Sequence, residues 1–466
     1  MREPIRIAVV GHTNTGKTSL LRTLLRDTRF GDVSDRPSTT RHVEGARLLA
    51  DGAPVLSLFD TPGMEDAIAL LDYIDTLVPA NARSDGPERI RQFLASAEAR
   101  GRYEQEAKVL RQLLESDAAF YVVDVRDPVL PKHRDELAVL ADCGRPLLPV
   151  LNFVHAATSR EPQWREAMAR VGLHAQVRFD TVAPELGGER RLYEALATLL
   201  DNRRADLERL IASRERDARR RHVAAAALVA ELLIDIAAAR QRVDADNTAI
   251  RHAVEQLHHA VRSREQRCVD ALLALYGFTG SEVNSAPLPL LDGRWEDDLF
   301  NPESLRTMGI SLGKGAAAGA AAGVGIDLLT GGLTLGAAAA LGAVVGGAWQ
   351  SLSDYGDRFL GKLTGSRELT VDDAVLRLLA ARQQHLLRAL TGRGHAAMTA
   401  VELDTGEIRR WRAGALPEPL DAARAHPDWS ALRATPQGDL SARQRAVDAL
   451  AVVIADDDGP ATAPGG

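Results

Sequence analysis

Eight residues near the start of the chain, Gly11-His12-Thr13-Asn14-Thr15-Gly16-Lys17-Thr18, have the types and spacing of a loop that wraps a phosphate. Glycine lets the backbone approach an oxyanion closely, and the helix expected next would aim its free N–H groups and positive dipole end at it. Lys17 would neutralise the β- and γ-phosphates of a nucleotide, and the Thr18 hydroxyl would hold Mg²⁺. Gly11, Asn14, Thr15, Gly16, Lys17, Thr18 and Ser19 are therefore candidate nucleotide-binding residues. A second constellation is Asp60-Thr61-Pro62-Gly63. Its carboxylate can hold Mg²⁺ through water, and the Gly63 N–H, with no Cβ in the way, can meet a γ-phosphate. Alone that tetrapeptide is common; one hairpin after a phosphate loop it is specific.

These residues need a scaffold, and the flanking stretches supply its parts. Ile5 to Val10 is short, β-branched and apolar, as a buried strand is, and Ser19 to Leu25 carries leucines at helical spacing. After the polar loop Pro37-Ser38-Thr39-Thr40-Arg41-His42 come two expected strands, Val43 to Leu49 and Pro54 to Phe59, joined by the turn signal Asp51-Gly52. Residues 64–117 are polar and helical in pattern, longer than the helix that would normally follow such a site. Ala118 to Asp124 and Pro146 to Leu151 read as two more buried strands, the second running into Asn152-Phe153-Val154-His155. The expected class is α/β: a mostly parallel sheet with helices on both faces.

At the level of these motifs the first 200 or so residues resemble the Era/TrmE/EngA group of bacterial P-loop GTPases, in the translation-factor-related class. The resemblance implies GTP or GDP with Mg²⁺ as ligands, and it implies residue roles. Pro37 to His42 would be switch I, with Thr40 (Thr39 is the alternative) closing on Mg²⁺ when the γ-phosphate is present; Asp60 to Gly63 would be switch II. Lys17, Thr40, Asp60 and Gly63 would then form the catalytic set, with Thr18, Thr40 and Asp60 around the metal. Asn14 occupies the position at which potassium-activated members of the group coordinate K⁺; the alternative is that it only shapes the loop. Two departures stand out. Where the guanine-reading loop should be Asn-Lys-x-Asp, only Asn152 is kept, and His155 can accept at one ring nitrogen at most. Asp180, in Val177-Arg178-Phe179-Asp180-Thr181, could supply the missing acceptor or could cap a turn. Met64 stands where a Ras-like protein has its water-orienting glutamine, leaving Glu65, Asp66 and Asp72 as acidic groups near the site.

Beyond residue 200 the pattern is helical. No glycine or proline occurs from Glu189 to Tyr276, and Val229, Ile236, Val243, Ile250 and Leu257 repeat at seven, with Leu233, Val254 and Val261 on a compatible seam. Residues 201–276 are expected to pack as a helical hairpin or against a second copy of the chain. Residues 277–308 read as a linker. Gly309 to Trp349 has only Lys314 and Asp327 as charges and glycines at spacing four, so 309–350 is expected to be a close-packed helical hairpin. It would be buried within the C-terminal region or engaged with a membrane or a membrane-protein partner. Residues 367–391 read as an amphipathic helix within a mixed region, 351–455, and 456–466 as a disordered tail. The whole chain also resembles a bacterial family that joins this G domain, residues 1–200, to a C-terminal domain of unknown function.

The bulk numbers set limits. Lys and Arg number 57 against 64 Asp and Glu, a net charge of −7 that argues against a surface built for nucleic acid. Two distant cysteines, Cys143 and Cys268, suggest neither a disulfide framework nor a zinc site. The early first strand leaves no room for a signal peptide, so a cytoplasmic location is expected, with inner-membrane association if 309–350 enters lipid. The chemistry expected is slow nucleotide hydrolysis by a switch that reports through the helical region. The alternatives are a nucleotide-driven membrane scaffold and a ribosome-assembly factor.

Overall fold

The computed structural model describes residues 2–26, 43–77, 85–181, 187–278, 366–391, 415–432 and 435–457, with 290, 295, 298–300, 326–329 and 411. The chain divides into two compact units, one built on Met1–Arg219 and one on Arg220–Thr391 and Ala400–Gly466. The division between them falls within the helix Arg204–Ala237.

In the first unit β1 (Ile5–Val10) pairs in parallel with β3 (Ala53–Asp60) on one side and β4 (Ala118–Asp124) on the other. β5 (Leu147–Asn152) and the short β6 (Val177–Arg178) continue the parallel sheet, while β2 (Glu44–Ala50) closes the far edge antiparallel to β3. The order is β2-β3-β1-β4-β5-β6. Alternation along β1 shows why the sheet is covered twice. Ile5, Ile7 and Val9 pack with Leu20, Leu21 and Leu24 of α1 (Lys17–Leu25) and with Leu192, Tyr193 and Leu196 of α7 (Gly188–Leu199). Ala8 and Val10 point the other way, into a core shared with α2 (Ala67–Leu77), α3 (Gly86–Ala95), α4 (Glu104–Leu114), α5 (Pro131–Ala141) and α6 (Glu161–Arg170). The expected α/β class is what the chain forms.

The stretch 64–117 contains α2, α3 and α4. Asp85 starts α3 by accepting from the Glu88 N–H at 2.9 Å, with Pro87 in the first turn. Phe93, Tyr103 and Tyr73 meet edge to face or tilted, with ring centres 5.8–6.3 Å apart, and so tie the inserted helices to α2.

The second unit corrects several expectations. The heptad region forms two successive helices, as a hairpin requires, but with a strand between them that was not expected: α8 (Arg204–Ala237) ends, β7 (Arg240–Asp244) follows, and α9 (Asn247–Leu275) begins after it. Val243 therefore lies in a strand, although Val229, Leu233, Ile236, Ile250, Val254, Leu257 and Val261 are buried on their helices as the pattern required. Two forces break the helix. β7 pairs antiparallel with β9 (Ser366–Val371), and Asp246 caps α9 by accepting from the Thr248 and Ala249 amides. Because 366–371 is a strand, the last amphipathic helix starts at Asp373 instead of 367, as α10 (Asp373–Thr391). It is buried all round, including Arg382, Gln383, Gln384 and His385.

Within the proposed linker, Leu299 and Phe300 are buried and the Phe300 ring stacks on His258 at 3.7 Å. Of residues 309–350 only Ile326–Leu329 are described, and they form β8 against β9, a strand where a helical hairpin was expected. The rest of that Gly/Ala-rich stretch lies outside the described residues. Among those described, no helix is long and apolar enough to cross a membrane. α11 (Glu418–Ala425) and α12 (Leu440–Asp457) complete the unit, and α12 carries Asp456 and Asp457 as helix, not tail; residues 458–466 lie outside the described set.

Candidate functional site

The sheet order places three chain segments at the carboxyl ends of β1, β3 and β5, where an open α/β sheet offers a crevice. The first is the loop from Gly11 into α1. Asn14 holds a left-handed backbone, φ 64°, and Gly16 caps the helix at φ 91°. A Cβ on Gly16 would fall 2.3 Å from Asn152 Nδ2, so the position requires glycine on both counts. Lys17 is buried, its ammonium donating to the carbonyls of Gly11 at 3.0 Å and His12 at 2.8 Å. Burial lowers its pKa, while Asp60 and Glu136 pull it back up.

The second segment leaves β3. Thr18 Oγ1 donates to Asp60 Oδ2 at 2.5 Å, both groups being buried. Thr61 Oγ1 donates to the Val9 carbonyl at 2.7 Å, which locks the strand end to β1. Gly63 lies so close to Thr13 that a Cβ would come within 2.7 Å of its N and Cα. Met64 is fully buried and its N–H donates to Gly11 O at 3.4 Å, so the chain after β3 is bridged directly to the phosphate-loop segment. The three acidic candidates separate here. Glu65 accepts from Thr13 Oγ1 at 3.3 Å, Asp66 pairs with Arg102 at 3.1 Å, and Asp72 is exposed on α2.

The third segment follows β5. Asn152 is wholly buried and joins three loops: its Nδ2 donates to Thr15 O at 3.0 Å, and its Oδ1 accepts from the amides of Phe153 and Thr181, both at 2.9 Å. Phe153 sits at φ 59° with the Arg126 guanidinium 3.9 Å over its ring; Asp124 fixes Arg126 through both carboxylate oxygens. Asp180 is buried and accepts from the His155 N–H at 3.2 Å, which brings together the two residues singled out in place of a guanine-reading aspartate. The contact braces the loop after β5 from the loop after β6.

Behind the loop is a cluster that motif reading missed. Lys132 donates to His12 Nε2 at 2.9 Å, and Tyr121 donates to Glu136 at 3.2 Å. Burial pushes the Glu136 carboxyl up to about 7, against the pull of Lys17. Burial likewise holds His133 down at about 4. Their only sequence signal was polar residues on the inward face of α5.

Thr40, Thr39 and the rest of 37–42 lie outside the described residues. The other candidates (Gly11, Asn14, Thr15, Gly16, Lys17, Thr18, Ser19, Asp60, Gly63 and Asn152) converge on one rim of the sheet. Two oxygens from Thr18 and Asp60, facing each other in a buried setting, are a donor set that fits a hard divalent cation.

Two family models match the chain. One, the domain of unknown function DUF3482, covers residues 165–452, more than half of the chain; the other, described as 50S ribosome-binding GTPase, covers residues 6–153. GTPase Der of Akkermansia muciniphila is 28% identical over 171 residues, which are 36% of this chain and 31% of that protein. GTPase Era of Carboxydothermus hydrogenoformans is 26% identical over 157 residues, 34% of this chain and 42% of that one. The tRNA modification GTPase MnmE of Thermoanaerobacter sp. is 38% identical over 74 residues, 16% of each chain. The chain spans less than half the length of each of these curated relatives.

Proposed function

This chain belongs to the DUF3482 family and carries a P-loop GTPase domain of the Der, Era and MnmE kind, and we propose that it is a Mg²⁺-dependent switch that hydrolyses GTP to GDP and phosphate and signals through its C-terminal region. The observation that carries this reading is the meeting of Thr18 with Asp60 beside Lys17, with Gly63 packed on Thr13.

In this reading Lys17 exchanges the carbonyls of Gly11 and His12 for the β- and γ-phosphate oxygens, so that its buried charge always has acceptors. The free N–H groups at the start of α1 face the phosphates. Thr18 and Asp60 would hold Mg²⁺, with Thr40 joining from switch I; the metal supplies neutralisation of the charge on the phosphate oxygens. Gly63 N–H would meet the γ-phosphate, and only glycine fits there because any Cβ would collide with Thr13. Asn152 keeps the base-side loops in register with the phosphate loop. Hydrolysis is an in-line attack by water, so these residues accelerate it by position and charge.

Guanine recognition is the weakest-built part of the site. The lysine stem expected against the base plane is replaced by the Phe153 ring, backed by Arg126, and Asp180 holds the loop backbone. Asn14 is a candidate K⁺ ligand under the same reading. The test is titration of the full chain with fluorescent GDP, GTP and ATP in Mg²⁺ and in EDTA, coupled to phosphate release. Saturable Mg²⁺-dependent GTP binding with slow phosphate release is expected. Absence of nucleotide binding, or hydrolysis indifferent to EDTA, would overturn the reading.

A further inference from the structure

The segment after Gly63 begins α2, and its first amides need acceptors. Ala69 N donates to Asp66 Oδ1 at 3.3 Å and Leu70 N to Asp66 O at 3.0 Å, so Asp66 is the helix cap. The two amides just upstream are satisfied from elsewhere. Glu65 N and Asp66 N both donate to one oxygen of Glu106, at 3.3 and 3.4 Å. Glu106 is buried and lies in the first turn of α4, within the helical stretch inserted between α2 and β4. Two neighbours reinforce the junction: Arg102 pairs with Asp66, and Tyr103 Oη donates to Ala69 O at 3.1 Å. On its other side the same short segment touches the phosphate loop, through Met64 N to Gly11 O and Thr13 Oγ1 to Glu65.

We propose that Glu106 is a positioning residue for hydrolysis: by holding the Glu65 and Asp66 amides it fixes the turn that presents Gly63 and Glu65 to the γ-phosphate. The inference rests on the GTPase reading above. Its physical basis is that Met64, which stands where a Ras-like protein has its water-orienting glutamine, is turned into the core. Geometry after Gly63 must then come from the backbone, and one buried carboxylate oxygen shared by two successive amides, at 3.3 and 3.4 Å, ties that backbone to α4. The inserted helices are thereby part of the site and not only a surface elaboration. Glu106 touches no phosphate; it acts through the turn.

The test uses the full chain and three variants, Glu106→Ala, Glu106→Asp and Glu106→Gln. Single-turnover GTP hydrolysis, nucleotide affinity, thermal stability and hydrogen exchange of the 60–70 segment are compared with wild type. Glu106→Ala should slow the single-turnover rate by about ten- to a hundredfold, the scale of a small misplacement in a site that works by orientation. Affinity should stay within about twofold, and the 60–70 amides should exchange faster. Glu106→Gln, which keeps an acceptor oxygen, should recover most of the rate. Glu106→Asp, whose carboxyl is one methylene short of both amides, should be slow even if Glu106→Ala does not fold. A wild-type rate in Glu106→Ala or Glu106→Asp overturns the inference. So does a parallel loss of affinity, stability and rate that Glu106→Gln shares, because that marks a structural anchor only. Failure of the wild-type chain to bind GTP would instead remove the GTPase reading on which the inference rests.

Discussion

Thr18 Oγ1 and Asp60 Oδ2 lie 2.5 Å apart in a buried setting, joining the first helix to the end of β3 across 42 residues of chain. Under the proposed reading both would hold the same Mg²⁺. Asp60→Ala should lower Mg²⁺-dependent hydrolysis by about a hundredfold or more while weakening nucleotide binding much less. Lys17→Ala should abolish binding, because the terminal phosphates lose their fixed cation. Fluorescent nucleotide titration with phosphate release on both variants checks this; full affinity in Lys17→Ala would remove the phosphate-loop assignment.

His155 stands where a guanine-reading carboxylate is expected, and Asp180 is engaged with its backbone. GTP should be preferred over ATP by a smaller margin than an intact loop gives, and His155→Asp should widen that margin by about tenfold, the worth of one hydrogen bond to a charged acceptor. Asp180→Ala should weaken GTP and ATP alike by loosening the loop. Competition titrations decide it: loss of GTP alone in Asp180→Ala would show that Asp180 itself reads the base.

Asn14 sits at a positive φ at the tip of the loop, which is reason enough for an asparagine there. If it also coordinates a cation, phosphate release should be faster in K⁺ than in Na⁺, and Asn14→Ala should erase the difference. Equal rates in the two salts would leave Asn14 with the loop-shaping role alone.

Glu136 is buried beside Lys17, and its pKa is raised from an ordinary 4.5 to about 7. The folded state therefore holds a proton that the unfolded chain has released. That contribution to stability is complete below about pH 4.5 and is lost as pH rises through about 7. Denaturant unfolding of wild type and Glu136→Gln at pH 5 and pH 8 should show wild type losing roughly 2–3 kcal/mol more than the variant over that interval. Identical pH profiles would mean that Glu136 is ionised in the fold at both pH values.

The phosphate loop was legible because everything that makes it recognisable is local. A strand-length apolar run, a glycine at each turn and a helix-period run occupy consecutive residues, and each constrains φ, ψ and burial within a few positions. The strands of the first unit follow for the same reason. In the helical region the same local reasoning misfired at Val243. Heptad spacing predicted one seam, yet 240–244 pairs with 366–371, a partner no window around Val243 contains. The signal that was present, Asp244-Ala245-Asp246-Asn247, is a helix-start signature within the heptad region, and Asp246 does cap α9.

The amino-acid sequence by itself determined the class of the first unit, its phosphate loop, and the residues Lys17, Thr18, Asp60 and Gly63 as a set, while Asn152 entered through the family resemblance. It did so because periodicity and turn chemistry act over a few residues. Only the tertiary structure decided what these residues do to one another. Asn152 ties Thr15 to Thr181, Asp180 accepts from the His155 amide, and Glu106 reaches from an inserted helix to the turn after Gly63. Each is a polar contact across the sheet end between segments far apart in the chain. Its strength comes from burial and from an acceptor placed within 3.5 Å, and neither is a property of any stretch of sequence read alone.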